Sequence, residues 1–262
     1  MDTLTDPSAV PRAIADSFLA WIPIVERLDG ARMERGNGFV RWTSDVALPV
    51  FNGVITDLQR PVADGWVDEM LTPFDRPRVP LLWADVRDLS GLGSALRARG
   101  FEVARPAAMA VELESLPALE LPDGVSIREV DADPEALHTA TTISMLTNGF
   151  PEDSAAPMLR GVARVPDRDA IRNFLLEADG APAAASTLVL AAGVAGLYNV
   201  GTLEAFRGRG FGSAISIAAM AAGREAGMRF GVLQASEMGE PVYRRIGFES
   251  HGHQMWAARG AD

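Results

Sequence analysis

The clearest alternation of apolar and polar positions lies in the second half of the chain. Val125-Ser126-Ile127-Arg128-Glu129-Val130 alternates with period two and predicts a strand with one covered face. Asp131 to Pro134 supplies a helix start, and Glu135 to Leu146 reads as the helix. Phe174 to Ala178 and Ala185 to Leu190 flank Asp179-Gly180, a hairpin signal, and Gly193 marks a second turn before Leu197-Tyr198-Asn199-Val200. Three antiparallel strands result. No charge occurs from Ala181 to Leu203, long enough to raise a membrane span. Pro182, Gly193, Gly196 and the dominance of alanine favour a buried sheet instead. Beyond it come a glycine-rich turn, an Ala/Ile-rich helix, the short apolar strand Phe230 to Ala235, and a helix carrying Tyr243 before Gly247-Phe248.

The first half carries a fainter copy of this ending. Leu96-Arg97-Ala98-Arg99-Gly100-Phe101-Glu102 matches Tyr243-Arg244-Arg245-Ile246-Gly247-Phe248-Glu249 at Arg97, Gly100, Phe101 and Glu102, after and before comparable strands. That predicts an internal duplication. The two prolines of 112–123 mark a linker, giving expected domains at 1–113 and 124–262. The first copy has Leu96 where the second has Tyr243, and its Gly91-Leu92-Gly93 reads only as a helix-start turn. It is expected to hold no cofactor.

The turn Arg207-Gly208-Arg209-Gly210-Phe211-Gly212-Ser213 lies between a strand and a helix, which suits an anion cradle. Glycines let the backbone approach an anion, and a helix start presents unpaired N–H groups and a positive dipole end. An ordinary glycine-rich connection is the alternative. A dinucleotide fingerprint fails at Ser213, and a Walker A loop fails for want of lysine. The spacing Arg207, Gly210, Gly212 is R-x-x-G-x-G. With the strands and helices around it, from about 125 to 256, the segment resembles the GNAT N-acetyltransferase superfamily.

The resemblance implies an α/β fold, a mixed and largely antiparallel sheet flanked by helices, here in two tandem copies. It implies acetyl-coenzyme A as co-substrate, with the pyrophosphate on Arg207, Gly208, Arg209, Gly210, Phe211, Gly212 and Ser213. Backbone groups of Asn199, Val200 and Thr202 would meet the pantetheine arm, and an N–H there would steady the oxyanion. Tyr243 occupies the family's general-acid position, against its alternative as a core tyrosine; Ser236 would orient it or bind the cofactor, or simply cap a helix. A carboxylate on the strand before the loop often serves as base, yet Leu197 to Thr202 has none. Glu237, Glu152 and Asp153 are candidates by position only, and no base is assigned.

Composition narrows the partners. The 262 residues are 48% hydrophobic, with a formal charge of −11 and a pI near 4.8, which argues against nucleic acid and is compatible with a cationic amine acceptor. No membrane segment is expected. The absence of cysteine and of a basic, apolar start leads to a cytoplasmic expectation, as monomer or homodimer. Glu249, His251 and His253 would share one strand face, but Glu249 and His253 stand roughly 13 Å apart, so no metal is expected. The expected activity is acetyl transfer to the primary amine of a small molecule or amino acid. The alternative is a non-catalytic acyl-coenzyme A sensor or assembly module.

Overall fold

The computed structural model describes residues 3–58, 64–75, 79–87, 91–165 and 168–260. In chain order it begins with helices α1 (Val10–Leu19) and α2 (Ile22–Val25), then strands β1 (Arg32–Gly36), β2 (Phe39–Thr43) and β3 (Gly53–Thr56). Next come α3 (Asp64–Leu71), β4 (Leu81–Asp85), α4 (Leu92–Arg97), β5 (Glu102–Ala104) and β6 (Ala107–Glu112). The second half contains β7 (Val125–Glu129), α5 (Pro134–Thr147), α6 (Ala155–Ala163), β8 (Ile171–Ala178), β9 (Ala181–Ala191) and β10 (Val194–Thr202). It ends with α7 (Phe211–Glu225), β11 (Phe230–Ala235), α8 (Glu240–Arg245), β12 (Glu249–His253) and β13 (Met255–Arg259).

Two sheets organise these elements, as the duplication predicts. One is six-stranded, in the order β1-β2-β3-β4-β13-β5; the other is seven-stranded, β12-β6-β11-β10-β9-β8-β7. Each sheet contains a parallel pair, β3 with β4 and β10 with β11, beside antiparallel neighbours such as β2 with β3 and β9 with β10. The matched heptapeptides adopt the same local structure. Phe101 N–H bonds to Leu96 C=O (3.2 Å) and Gly100 N–H to Arg97 C=O (3.0 Å), while Phe248 bonds to Tyr243 (3.0 Å) and Gly247 to Arg244 (3.2 Å). Both helices thus end in a Schellman turn, with Gly100 and Gly247 at φ 80° and 102°, conformations that side chains resist. The likeness is therefore one of backbone as well as of letters.

The last strand of each copy lies in the other copy's sheet. β13, at the chain's end, runs between β4 and β5, whereas β6, from the first half, runs between β11 and β12. The connectors explain why neither strand folds back beside its predecessor. A two-residue hairpin from β5 to β6 would put Arg105 at positive φ directly before Pro106, which proline sterics disfavour. The link from β12 to β13 is Gln254 alone, shorter than a two-residue turn. Both chains therefore continue extended. The compact units follow this path rather than the linker: Trp21–Ala107, Arg160–Val165 and Gly252–Asp262 form one, and Met1–Ala20, Ala108–Leu159 and Pro166–His251 the other.

In the six-stranded unit, Trp83, Phe74, Leu81, Leu96 and Phe101 build a core that Met255 and Ala257 of β13 complete. In the seven-stranded unit the pleat sends successive residues of β10 to opposite faces. Ser17 of α1 sits over Gly196 and Tyr198, its hydroxyl 2.9 Å from the Tyr198 oxygen, while Ala195 meets Gly223 of α7 on the far side. The run Pro7–Val25 is long and apolar enough to cross a membrane by length and composition. Its Val10, Ala13 and Ile14, spaced for one helical face, instead pack on Val194, Phe230 and Val232.

Candidate active site

The site is built where β10 runs out into α7. Gly208 and Gly210 have φ of 78° and 80°, and a Cβ at either would meet nothing within 4 Å. Backbone conformation, not crowding, demands glycine there, and the space in front stays open. No side chain caps α7, whose first turn-closing bond is Ala214 N–H to Gly210 C=O at 3.0 Å. The N–H groups of Phe211, Gly212 and Ser213 precede that bond and lack helical acceptors. Arg207 is spent partly on the fold, its Nε donating to Thr202 C=O at 3.2 Å. Arg209 lies over the Phe206 ring, 5.4 Å from its centroid. The expected cradle residues are thus brought together at one exposed helix start.

Next to the cradle, the parallel strands part. β10 and β11 pair only at Ala195↔Gly231 and Gly196↔Val232, although β10 continues to Thr202 and β11 to Ala235. On its other edge β10 carries a bulge: Tyr198 pairs with Thr187 and Gly201 with Ala185, so Asn199 and Val200 together face Ser186. Asn199 takes φ 53°, rare for a residue with a Cβ. Its carbonyl accepts from Ser144 Oγ at 3.0 Å, and Thr202's carbonyl already accepts from Arg207. Two of the backbone acceptors assigned to a pantetheine arm therefore have protein donors. Gly201 is dictated by crowding, since a Cβ there would fall 1.8 Å from Thr147 Oγ1.

Tyr243 and Ser236 sit together. A Cβ on Gly239 would stand 3.2 Å from Tyr243 Cε2 and 3.3 Å from Ser236 Oγ, so one small residue lies against both. Ser236 shapes the turn into α8: its Oγ accepts Gly239 N–H at 3.1 Å, the capping role that a serine at this place also admits. The Tyr243 ring packs edge-on to Phe248 with centroids 5.8 Å apart. Burial pushes the phenol up to about 12, with the Ser216 hydroxyl of α7 pulling the other way as the smaller effect. Ser216, fully buried and donating to Gly212 C=O at 2.7 Å, gives no signal in the sequence beyond its place one turn into α7.

The shift has a pH consequence. Raising the pKa keeps the phenol protonated to higher pH, so loss of the donor form moves above the ordinary tyrosine range. With an amine acceptor, kcat/KM should rise with pH as the amine loses its proton and show no falling limb below about pH 11. A falling limb centred near pH 9 would assign the acid to another group.

The equivalent place in the six-stranded unit is closed. β3 and β4 pair at all four positions from Gly53↔Leu82 to Thr56↔Asp85, and Val86 N–H continues the ladder to Thr56 C=O at 2.9 Å. Beyond that, Arg87 pairs with Asp57 across the strand ends. Asp85 is fully buried and accepts from Thr56 Oγ1 at 3.1 Å and Arg87 N–H at 3.1 Å. A zipped ladder leaves no slot between strands.

Glu152, Asp153 and Glu237 are all exposed, and β12, with Glu249, His251 and His253, is exposed along its length. Among the described residues, no three His, Cys, Asp or Glu side chains gather as a metal site would need.

A parted parallel pair beside an uncapped, glycine-opened helix start defines the acyl-coenzyme A N-acyltransferase fold. Residues 118–235 match the family model for the acetyltransferase (GNAT) domain, so this segment is a GNAT domain. None of the curated proteins compared with the chain matches it. Among solved structures, a GCN5-related N-acetyltransferase from Kribbella flavida aligns over 94% of this chain and 95% of its own, at 23% identity and TM-score 0.69. One from Sphaerobacter thermophilus covers 99% and 95% at 16% identity, TM-score 0.59. A tandem GNAT protein from the clavulanic acid biosynthesis pathway covers 99% and 97% at 14% identity, TM-score 0.58. At these identities the likeness is one of fold, and it extends over both copies.

Proposed function

We propose that the protein transfers an acetyl group from acetyl-coenzyme A to the primary amine of a small molecule or amino acid, in the cytoplasm. The observation that carries this is the parting of β10 and β11 immediately beside the open start of α7. A diphosphate on the N–H groups of 210–213 would leave its pantetheine arm running between the strands, with the thioester carried toward Tyr243. Holding thioester and amine together removes the entropy of their encounter, a contribution of several kcal/mol. An N–H at the Asn199–Val200 bulge would meet the oxyanion, and Tyr243 would donate toward the departing sulfur. Ser236 acts by fixing the turn that carries Tyr243.

The missing carboxylate on 197–202 favours a second reading, an acyl-coenzyme A sensor without turnover. Thiol release from acetyl-coenzyme A with a panel of amines separates the two. Release above the no-amine control is expected; tight binding without release across a broad panel would mean a sensor.

Calorimetry with coenzyme A should give one site per chain, because the six-stranded unit is zipped where the other is open. Gly210→Glu should abolish that site, since a side chain at φ 80° strains the turn and its carboxylate repels the diphosphate. Two sites per chain, or normal affinity in the variant, would contradict this placement.

A further inference from the structure

Four polar side chains form a row of hydrogen bonds from β10 across β9 and β8 to Asp131 just beyond β7, and the proposed chemistry assigns a role only to the Asn199 end. Asn199 Nδ2 donates to Thr187 Oγ1 at 3.4 Å; Thr187 Oγ1 donates to Asn173 Oδ1 at 3.0 Å; Asn173 Nδ2 donates to Asp131 Oδ1 at 2.8 Å. Asp131 also accepts Asn173 N–H through Oδ2 at 2.6 Å. Every donor in the row points the same way, toward the carboxylate. That direction fixes each group in turn: Asp131 holds both N–H groups of Asn173, so the amide oxygen must face Thr187. Thr187 then donates outward and keeps a lone pair for Asn199. Aligned chains of this kind strengthen bond by bond in a low-dielectric interior. Thr187 is 4% exposed, as is Ser144, which grips Asn199 from the other end through its carbonyl.

The row ends on a residue that is costly to hold. Asn199 sits at φ 53° in a bulge, left-handed backbone that asparagine adopts more readily than most residues with a Cβ but that persists only when surroundings over-determine it. An apolar sheet face would not need three successive polar residues on neighbouring strands for packing.

We propose that Asp131, Asn173 and Thr187 are positioning residues that lock the Asn199–Val200 bulge, and thereby pre-set the backbone N–H that steadies the oxyanion. The inference rests on the acetyl-transfer reading for its kinetic consequence, but not for its structural one. If the bulge slackens, the N–H loses its aim in the transition state, while the pyrophosphate cradle at the α7 start is untouched.

Thr187→Val keeps shape and removes both bonds. The expected result is kcat lower by about ten- to a hundred-fold, a fraction of what loss of an oxyanion donor costs, with KM and Kd for acetyl-coenzyme A within about two-fold of wild type. Thr187→Ser, which keeps the hydroxyl and drops the methyl, should recover most of the rate. Equal damage by both variants would mean packing, not positioning. Amide hydrogen exchange supplies a readout independent of turnover: the amides of 199–201 should exchange faster in Thr187→Val, with those of 211–220 unchanged. Unchanged exchange at the bulge overturns the proposal. If the wild-type protein turns over no amine, the activity reading falls by itself, and the exchange result still decides whether the row holds the bulge.

Discussion

Replacing Tyr243 with phenylalanine will lower kcat by about a hundred- to ten-thousand-fold, the span for losing a general acid, while acetyl-coenzyme A binds as before. The substitution keeps the ring that packs edge-on to Phe248 and removes only the hydroxyl. Magnitudes refine the expectation. An alkyl thiol has a pKa of about 8.5, so a phenol raised to about 12 is the weaker acid, and complete transfer of its proton to a free thiolate is uphill by about 5 kcal/mol. Transfer becomes feasible when the attacking nitrogen, made strongly acidic by bond formation, passes its own proton to the phenolate in the same sequence. Until then the phenol's contribution is a hydrogen bond to sulfur that strengthens as charge develops. The result should therefore fall in the lower half of the range. Steady-state kcat, with Kd from calorimetry, decides it: unchanged turnover removes Tyr243 from the mechanism, and weakened binding makes it a cofactor contact instead.

The strand, turn and helix around Arg207–Ser213 and the short helix carrying Tyr243 were legible in the sequence because their signals are local. A helix start, a glycine spacing and a Gly-Phe pair are set by residues a few positions apart, and the Schellman turns at Gly100 and Gly247 show the same for the duplication. The polar row was not legible. Asn173, Thr187 and Asn199 each read as an ordinary polar strand position, and only the register of β8, β9 and β10 puts them side by side. Strand exchange was hidden for a related reason. The apolar runs 107–111 and 255–258 suit either sheet, so periodicity cannot assign them, and the linker at 112–123 draws the eye to a simple division. A signal was present in Pro106 and in the single residue separating β12 from β13, but it becomes readable only when both strand ends are known. The N-terminal helix poses the same problem: α1 is apolar along one side, yet nothing local says that β10 and β11 are its partners.

Exchange of β13 makes the second large effect counter-intuitive: ending the chain at His253 will unfold the sheet built mainly from the first half. β13 is an interior strand, paired at five positions with β4 and at three with β5, so its loss detaches β5 and leaves two edges unpaired. Met255 and Ala257, each 1% exposed, vacate the core around Trp83 and Leu96. Burial of a methionine side chain alone is worth about 1.5–3 kcal/mol. Arg259 adds to this. Its guanidinium is buried, bonds Asp75 Oδ1 at 2.8 Å and Phe74 C=O at 3.3 Å, and lies 5.1 Å over the Phe101 ring. Against a total stability of about 5–15 kcal/mol for a domain, losing these together with a whole ladder exceeds what the six-stranded unit can spare. Limited proteolysis should cut first within 21–107, far from the truncation in sequence, and amides of 81–85 should lose their protection. Ala257→Asp, which places an unpaired carboxylate in the same core, should weaken the same region by several kcal/mol. A truncated protein that keeps its Tm and its protection at 81–85 would show that β13 is dispensable to that sheet.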